Sequence, residues 1–229
     1  MRFAKNEIPK STINRIAKYY AILLQLRSED KIICTSEDLG RRMSVPSSLV
    51  RKDLGNFGEF GTKGVGYRVH YMIWRIEQIL GYRAAWNAVI IGSCMPALTL
   101  LTASSIFPPG IHIAAVCDLE KDNPGVPVGG GSELATESFA NINAIVQQRN
   151  IIMGIMAVEQ SKSQQVANKL VEAGVTGIAN LSSIPVLVPK HILLVEVNIA
   201  SWLSQITYSL NGIIKNDFLA GKPYIESFS

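Results

Sequence analysis

The tripeptide Ser44-Val45-Pro46 separates two short stretches of helical character, and this break limits the first part of the chain to few folds. The first stretch, Ser36–Met43, starts behind Thr35, with Asp38 three residues on in the spacing of a capping box. The second opens at Pro46, which is favourable at a first helical position because no amide bond is lost there. It carries Ser47, Ser48, Leu49, Val50, Arg51, Lys52 and Asp53. Two short helices joined by a tight turn, the second rich in Ser and basic residues, make a helix-turn-helix. The second helix would enter a major groove, where Ser47, Ser48, Arg51 and Lys52 could reach base edges or phosphates. Upstream, Ile13, Ile16, Tyr20, Leu23 and Leu24 recur at helical spacing. They give residues 10–27 one apolar face, with Arg15 and Lys18 off it.

Downstream runs Phe57-Gly58-Glu59-Phe60-Gly61-Thr62-Lys63-Gly64-Val65-Gly66-Tyr67. Four glycines at this spacing suit a tight β-hairpin, with Lys63 at its tip. Alone, the segment could be an ordinary hairpin with one solvated lysine. After a helix-turn-helix it reads as a wing, with Lys63 directed at a phosphate or the minor groove. Charge distribution agrees. Residues 1–84 hold fifteen Lys and Arg against eight Asp and Glu, whereas residues 85–229 hold seven against ten. A basic small domain suits nucleic acid, since each neutralised phosphate releases a counterion.

Beyond a helical stretch over Tyr71–Leu80 the pattern changes. Ala88-Val89-Ile90-Ile91-Gly92, Ile111–Val116 (ending at Cys117-Asp118) and Ile151–Val158 read as buried parallel strands. Ser161 and Gln164 have the spacing of a cap for a helix with Val166, Leu170 and Val171 on its apolar face, and Gly174 would stop it. Strands alternating with helices predict a doubly wound α/β sheet of the Rossmann type. Asp118, after the second strand, is either a ribose-reading acid or a turn residue. The loop after the first strand, Gly92-Ser93-Cys94-Met95-Pro96-Ala97, keeps only the first glycine of G-x-G-x-x-G. Cys94 puts a side chain where a pyrophosphate should approach. Pro96 removes an amide donor near the helix start, and Ala97 is a mild change. Cys34, Cys94 and Cys117 form no CxxC pair, fitting a reduced cytoplasmic chain better than a disulfide or zinc scaffold. The longest apolar runs are too short to cross a bilayer, and the start does not read as a signal peptide.

The residues Ile8-Pro9-Lys10-Ser11-Thr12, Arg15, Tyr19-Tyr20, Arg51-Lys52-Asp53, Phe57-Gly58 and Lys63-Gly64-Val65-Gly66-Tyr67 closely resemble the winged-helix domain of the Rex redox-sensing repressors. The similarity extends over at least residues 8–210. It implies a dimer that binds a palindromic operator on double-stranded DNA and leaves it when NADH rises. It also implies DNA contacts from Lys10, Ser11, Arg15, Ser47, Ser48, Arg51, Lys52, Lys63, Gly64 and Tyr67, and NAD(H) contacts from residues 92–97 and Asp118. Several positions depart from the family. Val45 stands where a capping Asp is usual, a loss of roughly 1 kcal/mol at the helix start. Ala103 falls where a tyrosine shields the nicotinamide. Asn198 replaces an aspartate that pairs, by redox state, with the arginine matching Arg15 or with that tyrosine, and Asn cannot make a charge-assisted pair. With the phosphate loop, Ala103 and Asn198 make three departures in one mechanism, and together they imply an altered or lost NADH response.

Ile199, Leu203, Ile206, Leu210 and Ile213 alternate spacings of four and three, a heptad seam with Trp202 and Tyr208 beside it. Such a helix either packs on its own sheet or pairs between protomers, and the resemblance implies the exchanged form. The expected organisation is therefore a winged-helix domain at 1–84, a Rossmann-like domain at 85–198, and a swapped dimerisation helix with tail at 199–229. An NAD-dependent oxidoreductase is the enzymatic alternative, but neither His70, His112 nor His191 is placed as a proton donor, and the basic domain would be unexplained. A protein-binding winged helix is a third reading, against which Arg51, Lys52 and Lys63 stand.

Overall fold

The computed structural model describes residues 8–61, 64–92, 107–119 and 135–219, with backbone alone over 212–219. The chain divides into two compact units, Met1–Ala85 and Trp86–Ser229.

In the first unit, α1 (Lys10–Ser28) buries Ile16, Tyr19, Tyr20, Leu23 and Leu26. The buried stripe is thus slightly rotated from the expected one, and Ile13 and Leu24 lie at its margin. It packs on α4 (Val69–Leu80), whose Val69, Met72, Ile73 and Ile76 are buried at spacings of three, one and three. The helix starts two residues before Tyr71. Each fully buried aliphatic side chain here, Ile16, Leu23 or Ile76, contributes about 1.5–3 kcal/mol. Between them lie α2 (Ser36–Met43) and α3 (Ser47–Gly55). Thr35 and Asp38 form the expected reciprocal capping box. α2 ends with Ser44 in the left-handed region, φ 55°, and the Val45 N–H bonds the Gly40 carbonyl. A Cβ on Gly40 would lie 2.6 Å from the Val45 carbonyl oxygen, so only glycine permits this turn.

Two details differ from the sequence expectation. Pro46 is the N-cap of α3 rather than its first helical residue, and it offers no side-chain cap. The cap position is therefore Pro46, not Val45, because Val45 is used in closing α2. Of the expected hairpin over 57–67, residues 62–63 lie outside the described residues, while Gly61 and Gly66 lie against each other, since a Cβ on Gly61 would meet the Gly66 carbonyl. Residues 57–61 and 64–66 form no strand of two or more residues. The strand at the base of the wing, β2 (Tyr67–Arg68), pairs antiparallel with β1 (Ile33–Cys34) instead.

Among the described residues, the second unit holds a parallel sheet of six strands: β3 (Trp86–Gly92), β4 (Ile111–Asp118), β5 (Thr136–Ser138), β6 (Met153–Ala157), β7 (Gly177–Asn180) and β8 (Leu193–Glu196). Their order is β5-β4-β3-β6-β7-β8, which is the 3-2-1-4-5-6 order of a dinucleotide-binding sheet. Ala88–Ile91 are fully buried, because both faces of β3 are covered. Val89 and Ile91 face α5 (Ile142–Gln148) and α6 (Gln160–Glu172); Ala88 and Ile90 face the other side. β6 is shorter than the apolar run 151–158. The proposed Ser161 cap is not formed: α6 starts after Glu159, which makes no side-chain cap bond, and Gln164 instead bonds Asn168 and the Leu187 backbone. Gly174 does stop the helix, with its N–H on the Val171 carbonyl and that of Val175 on Leu170. The last helix, α7 (Ile199–Leu219), is capped by Asn198, whose Oδ1 accepts from the Ser201 N–H. No described helix is long and apolar enough to cross a membrane.

Candidate nucleic-acid interface

α3 has two faces. Val50, Asp53 and Leu54 are buried, while Ser48, Arg51 and Lys52 are exposed on the opposite side and Ser47 is half-buried. An acid on the inner stripe needs partners, and Asp53 has three. Arg15 donates to it in a fork, Nε to Oδ2 at 2.6 Å and Nη2 to Oδ1 at 2.7 Å. The Tyr19 hydroxyl donates at 2.9 Å and Thr12 Oγ1 at 3.3 Å. Burial pushes the Asp53 carboxyl up, but hydrogen bonds from Arg15 and Tyr19 outweigh it and hold it below the usual carboxylate value. Burial, and then the bond to Asp53, push the Tyr19 phenol up. This cluster fixes the angle of α3 on α1.

Arg51 is held at its other end. Its Nη1 lies 2.8 Å from Ser36 Oγ, 3.2 Å from Ser47 Oγ and 3.3 Å from Glu37 Oε1. The Glu37 carboxyl is lowered chiefly by its own backbone amide at the start of α2; burial opposes this, and hydroxyls of Thr35, Ser47 and Ser36 add to the lowering. A groove runs between the first turn of α2, the outer face of α3 and the wing, bounded by Glu37, Arg51, Phe60, Gly64, Val65 and Tyr67. Arg75 of α4 supports the wing's root: its Nη2 donates to the Phe57 carbonyl at 3.1 Å and its guanidinium sits 5.7 Å over the Phe60 ring.

The structure brings together Arg51, Gly64 and Tyr67 around this groove, with Ser47 bonded to Arg51 and with Ser48 and Lys52 exposed on the outer face of α3. Lys10 and Ser11 are exposed at the start of α1. Arg15 is directed into the Asp53 cluster, and its side chain is 23% exposed. Lys63 lies outside the described residues. Sequence reasoning singled out neither Glu37, Ser36 nor Arg75, and gave Asp53 no partner.

In the second unit the strand order reverses between β3 and β6, and the crevice at their carboxyl ends is where such sheets take ligands. Gly92 ends β3 there. A Cβ on it would sit 2.7 Å from the Ala157 carbonyl oxygen, so the close approach of the two strand ends requires glycine. Asp118 ends β4, buried, in a cleft shared with Ser138, Phe139, Lys162 and Gln165. Strand order, Gly92 and Asp118 together fit the adenosine half of a dinucleotide. Ser93, Cys94, Met95, Pro96, Ala97 and Ala103 lie outside the described residues.

A winged helix joined to a 3-2-1-4-5-6 sheet defines a transcription regulator of the nucleotide-sensing class. Residues 7–55 match the family model described as a putative DNA-binding protein N-terminus. The redox-sensing transcriptional repressor Rex of Syntrophobacter fumaroxidans is 32% identical over 211 residues, covering 92% of this chain and 99% of that protein. Rex of Maridesulfovibrio salexigens is 32% identical over 206 residues, covering 90% and 97%. Among solved structures, RSP in complex with β-NAD+ and operator DNA superposes with a TM-score of 0.85 at 26% identity, covering 95% of this chain and 99% of that one. RSP in complex with β-NADH gives a TM-score of 0.81 at 25% identity, covering 94% and 100%. The chain belongs to the Rex family of redox-sensing transcriptional repressors, and it is a regulator rather than an enzyme.

Proposed function

We propose that this chain represses transcription in the cytoplasm as a homodimer on a palindromic operator, with an NADH response that is weakened or lost. The observation that carries DNA binding is the outer face of α3, where Ser48, Arg51 and Lys52 are exposed while Asp53 is clamped beneath them. Ser47, Gly64, Tyr67 and Lys63 extend that face along the groove and wing, and Lys10 and Ser11 add contacts from α1 to phosphate. Arg15 serves this face chiefly as the clamp on Asp53. The reading divides the chain into a DNA-binding domain at 1–84, a nucleotide domain at 85–198 and a dimerisation helix with tail at 199–229.

Dimerisation is supported by α7. Ile199, Leu203 and Ile206 of the heptad seam, and Trp202 beside it, are each more than half exposed in the single chain. Residues 199–211 of this helix are all exposed in the single chain, and a second copy would bury the apolar face. Two copies would also present two α3 helices to two half-sites.

NAD(H) would be held at Gly92 and Asp118, and its nicotinamide supplies the redox signal. The sequence of the phosphate loop supports weak sensing, since Cys94 and Pro96 replace a glycine and an amide donor there. Ala103 removes the family's tyrosine. The Asn198 amide is engaged locally, with Oδ1 on the Ser201 N–H and Nδ2 near the Ser183 carbonyl. Fluorescence anisotropy of a labelled operator tests both parts. Binding should weaken steeply with salt and survive NADH; unchanged binding in Arg51→Ala plus Lys63→Ala refutes the DNA face, and release at low micromolar NADH refutes the weakened sensor.

A further inference from the structure

Glu37 is the one acid bonded to a basic residue on the outer face of α3, among the described residues. Its Oε1 lies 3.3 Å from Arg51 Nη1, and the two side chains are 67% and 54% exposed. An exposed pair of this length adds little to stability. Ser36 joins the two: its buried hydroxyl accepts from Arg51 and donates to Glu37 Oε2. The guanidinium is therefore tied to α2 through Nη1 alone. Its Nε–Nη2 edge has no bond to any other described residue.

That free edge is a two-donor fork at the middle of a helix expected to face the major groove. Two kinds of acceptor compete for it. A phosphate is charged and occurs at every step of any duplex. The O6 and N7 atoms of guanine carry no net charge and occur only in particular sequences. A carboxylate beside the fork repels the phosphate and leaves the guanine edge nearly unaffected. The same carboxylate can accept from the N4 amino group of a cytosine, which a phosphate cannot offer.

Resting on the DNA-binding reading above, we propose that Glu37 is a specificity determinant: it positions Arg51 for a guanine edge and penalises its capture by phosphate. Glu37 thus costs the chain affinity for random DNA and raises its preference for the operator. Ser36 is the hinge of the arrangement, because it keeps Nη1 engaged whichever acceptor the free edge meets.

The test uses the full chain and a duplex that it selects from a randomised pool, with a scrambled duplex of equal length as control. Anisotropy titrations run from about 50 to about 200 mM salt. Glu37→Gln keeps the shape and removes the charge. It should tighten binding to the scrambled duplex about three-fold or more, and steepen its salt dependence by about one released counterion. The operator-to-scrambled ratio should fall, and substitution of a G·C pair in the selected site should be tolerated better than by the parent. Glu37→Asp should restore most of the ratio, which a merely structural role would not require. A parent chain that shows no preference for its selected duplex overturns the DNA-binding reading and this inference with it. A parental preference that Glu37→Gln leaves unchanged overturns the inference alone.

Discussion

Replacing Arg15 with Met removes the fork that balances Asp53. The Asp53 side chain is 2% exposed, and it would keep only the Tyr19 and Thr12 hydroxyls. Removing one partner of a fully buried ion pair costs about 3–5 kcal/mol. Two hydroxyls remain and Arg15 is partly exposed, so the expected loss is about 2–3 kcal/mol. The loss is local to α1 and α3, and amide hydrogen exchange there reads it directly. Exchange through opening of this unit should accelerate about thirty- to hundred-and-fifty-fold at pH 7 relative to the parent. The pH dependence carries the diagnosis. In the parent the Asp53 carboxyl is depressed, so its contribution is present above the usual carboxylate range and is lost only as pH falls through its lower folded value. In Arg15→Met, burial is no longer outweighed and the carboxyl rises above its unfolded value, so acidification toward pH ~4 favours the folded variant. The gap between parent and variant should narrow from pH 7 to that point. Arg15→Met with Asp53→Asn should recover much of the stability, because no uncompensated charge is left. Unchanged exchange in α1 and α3 at pH 7, or a penalty constant with pH, refutes the clamp.

Arg75→Met should leave α4 packed but free the wing root from the Phe57 carbonyl, raising exchange across residues 57–61 and weakening operator binding by about ten-fold, equal to one charge-assisted hydrogen bond. Gly92→Ala should destabilise the second unit by about 1–3 kcal/mol, since the new methyl meets the Ala157 carbonyl; thermal unfolding of the full chain measures it. Cys34 and Cys117 are buried, with burial first and a nearby acid second pushing their thiols up to about 11 and about 12. Neither should react with iodoacetamide at pH 7 in the native chain, and mass mapping checks this. Leu203→Glu with Ile206→Glu should give folded monomers by light scattering, because both positions are exposed in the single chain.

Hydrophobic period made most elements legible. The run Ala88–Ile91 could only be a strand covered on both faces, and Gly174 marked the end of α6 through its φ of +100°. Helix starts were harder. Thr35 advertises its cap with a side chain that bonds, whereas Glu159 and Pro46 cap without one, so Ser161 and Val45 drew the inference to the wrong residue. The pairing at the base of the wing was hidden because glycine spacing fixes where a chain can turn but not what its strands pair with; β2 found β1, thirty-odd residues upstream. Asp53 was half legible. An acid in step with Val50 and Leu54 must find a partner inside, but nothing local says that the partner is Arg15, thirty-eight positions earlier. Glu37 reads in sequence as a first-turn acid of α2, and only the turn at Gly40 places it against Arg51.

The described contacts that hold the outer face of α3 come from residues of the first unit. Asp53 ties it to α1, Arg51 ties it to the start of α2, and Arg75 fixes the segment that leaves it. The free energy of binding DNA and the free energy coupling it to a nucleotide are separable quantities. Coupling exists only to the extent that the nucleotide binds the DNA-free state better than the DNA-bound one. A nucleotide that binds both equally shifts nothing, however tightly it is held. On the function proposed above, Asp118 would retain ribose binding while Cys94, Ala103 and Asn198 would remove the difference between states. NADH would then stabilise the second unit by mass action and leave operator occupancy unchanged. A rise in the unfolding temperature of the second unit with NADH, at constant operator affinity, distinguishes lost coupling from lost binding.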